Sequence, residues 1–173
     1  MAELVDALVS NTNGVTRAGS IPALGTSNEI MKINTDRFDA AYLRLAVEWS
    51  KLSYCKRRKV GAIIVKDRMI ISDGYNGTPS GFDNCCEDEN NETNWFVLHA
   101  EANAILKTAG SNHNCKDSTL YLTMSPCKEC SKLIHQSGIK RVVFIKKYKD
   151  STGIEFLKKA QVEIIHYDKK KLN

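Results

Sequence analysis

Two short stretches of the chain carry side chains able to hold and use a metal ion: His99-Ala100-Glu101 and Pro126-Cys127-Lys128-Glu129-Cys130. Cys127 and Cys130 lie three residues apart, so a helical first turn puts both sulfurs on one face, where they can chelate one cation. The same pair at a helix N-terminus also suits redox exchange, because the dipole and free N–H groups there lower a thiol pKa. Taken alone, the pair leaves both readings open, and a lone His-x-Glu is weaker still. Together, one imidazole and two thiolates supply three ligands to a tetrahedral zinc and leave the fourth position for water. That open position marks a catalytic rather than a structural site. Zinc lowers the pKa of such a water from about 9 for the aqueous ion toward 7. Glu101 is too near His99 to be a comfortable further ligand, yet near enough to exchange protons with that water. First-turn N–H groups aimed at the sulfurs would draw off part of the thiolates' charge and restore Lewis acidity. Ser125-Pro126 is expected to open that helix as cap and first helical residue.

The elements that must position these motifs alternate along the chain from Asp36. Phe38, Ala41, Tyr42, Leu45, Ala46 and Trp49 recur at helical spacing and predict a helix of about four turns. Val60–Val65 is a β-branched run, and the turn-like Lys66-Asp67-Arg68 joins it to Met69–Ser72 as a hairpin. A Gly-, Asn- and acid-rich loop is expected over 73–94, a length that is usually functional. Then come a helix over His99–Ala109, a strand over Thr119–Thr123, the helix after Pro126 and a strand over Arg141–Ile145. A short helix over Ile154–Ala160 and a strand over Val162–Tyr167 complete the series. This order fits one mixed five-stranded sheet with helices on both faces, the helices serving as crossovers.

His-x-Glu followed by Pro-Cys-x-x-Cys is the signature of zinc deaminases acting on nucleobases. From about Asp36 to Asp168 the chain resembles the deoxycytidylate (dCMP) deaminases of the cytidine deaminase superfamily. The resemblance is carried by Lys59–Val65, Gly74-Tyr75-Asn76-Gly77-Thr78-Pro79-Ser80-Gly81, His99–Ile105, Ser125–Cys130 and Ser137-Gly138-Ile139. It implies a three-layer α/β/α sandwich and hydrolysis of dCMP to dUMP and ammonia, with Glu101 carrying the protons. It also implies substrate contacts from Asn76 and from the backbone N–H of Ala100. Asn76 read from the residues alone is a turn residue that tolerates a left-handed conformation. Some relatives respond to dCTP and dTTP with Mg2+ at an element that Gly74, Tyr75, Gly77, Pro79 and Gly81 resemble. The resemblance further implies a homo-oligomer, a hexamer or smaller. Some members hold a second, structural zinc in the long loop, and Cys55, Cys85 and Cys86 are placed to offer one. That loop has acids and no histidine, so free thiols are the preferred reading. His113, His135, His166 and Cys115 have no partner at ligand spacing and are read as structural.

A nucleotide phosphate calls for a fixed cation, ideally an arginine fork. Lys56-Arg57-Arg58-Lys59 precedes the first strand, and Arg58 or Arg57 is expected at the pocket mouth. A tRNA adenosine deaminase would share zinc and Glu101, but resembles Asp-Pro-Thr before the histidine and Glu-Pro-Cys-x-Met-Cys at the ligands. This chain has Phe96-Val97-Leu98 and Ser125–Cys130 there. Free cytidine, guanine or a riboflavin precursor as substrate is a further alternative. A zinc-stabilised binding module would have no use for Glu101.

Bulk properties agree with one compact domain. The net charge of +5 owes part of its excess to Lys169-Lys170-Lys171, a solvated tail rather than a nucleic-acid footprint. No apolar run approaches the roughly 18–20 residues of a membrane span. Six cysteines without a secretory leader are expected in a reducing, cytoplasmic setting. Residues 1–30 stand apart from the deaminase-like domain over 31–173. Met1–Ser10 could form a short helix, whereas Asn11–Ser27 has no period. Codons for Arg17–Pro22 can spell a transfer-RNA T-arm, so translation is expected to begin at Met31 and the preceding segment to be disordered.

Overall fold

The computed structural model describes the backbone of residues 27–172 and the side chains of residues 36–172. The expectations for Met1–Ser10 and for the T-arm-like stretch lie outside the described residues. Helix α1 (Ser27–Lys51) starts nine residues before the expected Asp36, with no Gly or Pro in 27–35 to stop it. Strands β1 (Gly61–Lys66) and β2 (Met69–Tyr75) form an antiparallel hairpin. Its two-residue turn, Asp67-Arg68, has φ of 51° and 64°, the primed geometry that matches strand twist. The cost of placing Arg68 there is offset by two contacts with α1. Tyr42 donates its hydroxyl to the Arg68 carbonyl at 2.8 Å, and the guanidinium stacks 4.8 Å from the Phe38 ring.

Helix α2 (Ala100–Ala109) follows a long irregular segment, then β3 (Thr119–Met124), α3 (Lys128–Gln136), β4 (Arg141–Lys146), α4 (Thr152–Lys159) and β5 (Glu163–His166). A short 3-10 turn over Lys169–Leu172 packs back toward α1 through the Arg44–Leu172 carbonyl bond. The strand order is β2-β1-β3-β4-β5. β1 is antiparallel to both neighbours, while β3, β4 and β5 are parallel. Strand periodicity then sorts the core into two layers. Ala62, Ile64, Leu120, Leu122, Val142 and Phe144 face α2, α3 and α4. Ile63, Val65, Tyr121, Val143 and Ile145 face α1. The three-layer sandwich follows from that alternation.

One ion pair fastens α1 to the sheet. Arg141 on β4 grips Asp39 with two nitrogens, at 2.6 and 2.8 Å, and Tyr121 donates to the same carboxylate at 2.8 Å. Burial pushes the Tyr121 hydroxyl up, and Asp39 pushes it further. Burial works against the Arg141 charge, but Asp39 outweighs it and the guanidinium is held up. Removing one partner strands a charge in the core, so Asp39→Ala is expected to cost about 3–5 kcal/mol. Urea unfolding measures it, and a loss under about 1 kcal/mol would mean the pair is solvated after all.

β2 runs three residues beyond the expected Ser72. Gly74 and Tyr75 are therefore strand residues, paired with Ala62 and Gly61, and not part of the loop. The irregular segment begins at Asn76 and is pinned by two isolated bridges, Gly77 to Leu98 and Glu87 to Thr93.

Candidate active site

Four chain segments meet at one end of the strands. Because β1 is antiparallel to β3, its start at Val60–Gly61 lies beside the end of β3 at Thr123–Met124. The Gly61 N–H donates to Thr123 Oγ1 at 3.1 Å. The end of β2 at Tyr75–Asn76 lies there too, as does the turn after β4. This crevice, outside the carboxyl end of β3, is where open α/β sheets place their ligands.

The two motifs enter the crevice from helix starts, with a correction to the expected register. α3 begins at Lys128, and Cys127 is its N-cap, in extended backbone at φ −75°, ψ 171°. Ser125 and Pro126 therefore precede the cap. Ser125 cannot serve as cap because its hydroxyl accepts the Tyr148 N–H at 2.8 Å, while its own N–H donates to the Lys146 carbonyl at 2.8 Å. His99 is likewise the N-cap of α2, at φ −74°, ψ 157°. An extended cap residue throws its side chain forward of the helix, which brings the donors of two helices together.

His99 Nδ1 lies 3.5 Å from Cys127 Sγ and 3.4 Å from Cys130 Sγ. All three donor atoms fall within 4.8 Å of one another, the only such trio of His, Cys, Asp or Glu among the described residues. Tetrahedral bonds of about 2.3 Å to sulfur and about 2.05 Å to nitrogen require an N···S edge of about 3.55 Å. The spacing therefore fits zinc, with Nδ1 as the imidazole donor. The protons tell the same story. Cys127 is pulled down to about 3, first by its hydrogen bond from Cys130 and then by His99, against the effect of burial. Cys130 is pushed up by the Cys127 sulfur and by burial. The hydrogen bond with Cys127 raises His99 above the usual imidazole range, against burial. Without a cation the cluster keeps protons between its donors, and a dication would replace them.

Glu101 sits in the first turn of α2 with 4% of its surface exposed. Burial raises its carboxyl above the ordinary carboxylate range, while its own backbone N–H and His99 oppose the rise. A carboxyl poised upward in this way suits proton transfer in both directions.

His99, Cys127 and Glu101 line a pocket of about 330 Å³, within the usual range for small-molecule sites. Its wall includes Val60, Asn76, Ala100, Met124 and Tyr148. Asn76 is buried at the end of β2, and its φ is not positive, so the left-handed turn reading fails. Its amide clasps the backbone before β1. Oδ1 accepts the Val60 N–H at 2.7 Å, and Nδ2 donates to the Arg58 carbonyl at 2.8 Å. Ala100 is fully buried on the pocket floor.

The two candidate arginines differ. Arg57 is engaged, 2.9 Å from Glu92. Arg58 has its guanidinium 5.3 Å from the Tyr148 ring centre and no carboxylate partner among the described residues. Lys149, on the same wall, is also without an ion pair there. Sequence reasoning passed over Tyr148 and Lys149 because nothing local marks them. The pairing of β4 with β3 and the Ser125 hydroxyl, which accepts the Tyr148 N–H, bring their turn to the pocket.

The glycine-rich element divides. Gly74 and Tyr75 belong to β2, Gly77 bridges Leu98, and Pro79 accepts the Phe82 N–H at 3.1 Å. Gly81 turns at φ 88°. Cys55 and Cys86 are buried in a small cluster with Val97, while Cys85 is exposed with its sulfur 3.2 Å from the Glu87 carbonyl. Burial first, then Cys55, pushes the Cys86 thiol up to about 12.

Comparison with known proteins agrees with this geometry. The family model of the cytidine and deoxycytidylate deaminase zinc-binding region matches residues 36–146. A deoxycytidylate deaminase of Enterobacteria phage T4 is 35% identical, over 76% of this chain and 90% of its own. One from Mycobacterium phage D29 is 37% identical, over 63% of this chain and 94% of its own. The crystal structure of a dCMP deaminase from cyanophage S-TIM5, in complex with dCMP and dUMP, is 47% identical with a TM-score of 0.74. It covers 76% of this chain and 97% of that one. A ligand trio spaced for zinc, set on this fold and matched along 36–146, places the chain in the cytidine and deoxycytidylate deaminase family.

Proposed function

We propose that the chain is a zinc-dependent hydrolase that converts dCMP and water to dUMP and ammonia. The observation that carries the proposal is the buried Glu101 carboxyl, in the same helix start as His99 and facing the pocket beside the His99–Cys127–Cys130 trio. Those three side chains would hold the ion. When bound, zinc supplies Lewis acidity that makes water a nucleophile near neutral pH. Glu101 takes a proton from the attacking water and passes it to the ring nitrogen beside the attacked carbon. It then takes the second proton, from the new hydroxyl on that carbon, and delivers it to the amino group, which leaves as ammonia as the carbonyl forms, so one carboxyl serves every transfer. Ala100 offers its backbone N–H to the pyrimidine carbonyl, and Asn76 holds the wall against which the nucleotide lies.

Arg58 is the better phosphate ligand than Arg57, because Glu92 already neutralises Arg57. Lys149 adds a second positive charge on the same wall. Removing a charge-assisted contact worth about 1.5–3 kcal/mol predicts that Arg58→Ala raises KM for dCMP by roughly 10–100-fold. Turnover of deoxycytidine, which has no phosphate, should not change. A parallel loss on both substrates would place Arg58 outside the phosphate site.

Control by dCTP and dTTP with Mg2+ rests on the resemblance of Gly74–Gly81 to the family's effector element, and assembly into a homo-oligomer, a hexamer or smaller, rests on the family resemblance as a whole. Six free thiols suit a reducing cytoplasm, and no helix among the described residues is long and apolar enough to cross a membrane. A panel of dCMP, CMP, deoxycytidine and tRNA, scored by ammonia release, tests the substrate assignment. Preference for any of the other three over dCMP would reject it.

A further inference from the structure

Each of the two helix starts that carry the donors is pressed against a neighbouring element at a glycine. Gly74 in β2 lies under α2, where a Cβ would sit 2.3 Å from the Ala100 carbonyl oxygen and 2.7 Å from the Ala104 nitrogen. Gly153, in the first turn of α4, lies against the turn that enters α3. A Cβ there would sit 2.6 Å from the Pro126 carbonyl oxygen, 2.6 Å from Ser131 Oγ and 2.8 Å from the Cys127 carbonyl carbon. Most of these neighbours are backbone atoms, so no rotamer change relieves them. A hydrogen bond ties the first contact, and another stiffens the turn against which Gly153 packs. Asn103 in α2 donates from Nδ2 to the Tyr75 carbonyl of β2 at 2.7 Å. Ser131, fully buried, donates to the Cys127 carbonyl at 2.9 Å.

Resting on the zinc reading above, we infer that Gly74 and Gly153 are positioning residues, which set how closely His99–Glu101 and Cys127–Cys130 approach one another. β2 packs on the start of α2 and α4 on the turn into α3, and neither supplies a donor. Each fixes the depth of one helix start, and the metal donors span the gap between the two starts. A methyl at either glycine requires a displacement of roughly 1 Å, about twice the ~0.5 Å within which a reactive constellation must be held. The affected atoms are the backbone of Ala100 and Cys127, which lie beside or within the donor set. Gly74, which the sequence placed in a loop, lies in β2 with α2 packed on it.

The test is zinc affinity of the full chain, measured by competition with a chromophoric chelator, with kcat on dCMP recorded beside it. Gly74→Ala and Gly153→Ala are expected to weaken zinc by about 10-fold or more, as loss of an outer support does, and to lower kcat. Asp39→Ala, which destabilises the far face of the sheet, should keep zinc affinity within about twofold of wild type. Should the glycine variants fail to fold, Asn103→Ala and Ser131→Ala carry the test, since the first loosens the α2–β2 contact and the second loosens the turn into α3, neither with a clash. Their expected loss is also about 10-fold. Wild-type zinc affinity in all folded variants, or an equal loss in Asp39→Ala, overturns the inference while leaving the enzyme reading intact. A wild-type chain that binds no zinc overturns the metal centre itself, and this inference with it.

Discussion

Glu101→Gln is expected to lower kcat on dCMP by roughly 10³-fold, within the range for removing a general acid–base group, while the protein keeps its fold and its zinc. The substitution preserves shape and removes only the ability to exchange a proton. Zinc is retained because the trio spaced for it consists of His99, Cys127 and Cys130. Stability of the metal-free chain should stay level or rise. Burial raises the Glu101 carboxyl pKa, meaning that the folded chain pays to keep it charged, and a neutral amide removes that cost. The expected signature is therefore an inactive protein that still loads zinc and that, stripped of it, melts at an unchanged or higher temperature. A Gln variant retaining more than about a tenth of wild-type kcat would assign the proton transfers to another group. A variant that loses zinc would make Glu101 a ligand.

Cys130→Ala has the second large effect, and a different one. Cys130 is buried at 3% exposure in the first turn of α3, and its sulfur closes the trio at 3.4 Å from the imidazole. Its loss leaves two donors, too few for a tight zinc site. Zinc content should drop from one per chain to a small fraction, with affinity falling by more than the roughly 10–100-fold that loss of an outer partner costs. Activity should fall with zinc occupancy rather than independently of it. Because the trio is split between two helix starts, thermal stability should also become insensitive to added zinc. Elemental analysis with a melting curve at several zinc concentrations reads both. Full zinc occupancy in this variant would move the ion to other donors.

Much of this site was legible because its information is local. His99-x-Glu101 and Cys127-x-x-Cys130 each lie within one turn, and their chemistry follows from residue type and spacing. The layers of the sheet were legible for the same reason, since Ile63 and Ile64, or Val142 and Val143, alternate faces by strand geometry alone. What was not legible depends on distant partners. Ser125 has the right type for an N-cap, but β4's exit claims its hydroxyl, so the cap passes to Cys127. Gly74 reads as loop in any local window, yet α2 packs on it and it belongs to a strand. Arg57 and Arg58 are equivalent neighbours in sequence. Glu92 and Tyr148, 35 residues and 90 residues away, separate them. Asn76 shows both sides. It lines the pocket to which its motif drew it, but its clasp on the backbone of Arg58 and Val60 could not be read without the antiparallel start of β1 beside it.

Formation of dUMP from dCMP by the purified chain, followed before chelation, after exhaustive chelation and after return of one equivalent of zinc, tests the central claim most directly. Activity should vanish on chelation and return in proportion to zinc restored. Undiminished conversion by the metal-stripped chain, or none by the reconstituted one, would contradict a zinc-dependent dCMP deaminase.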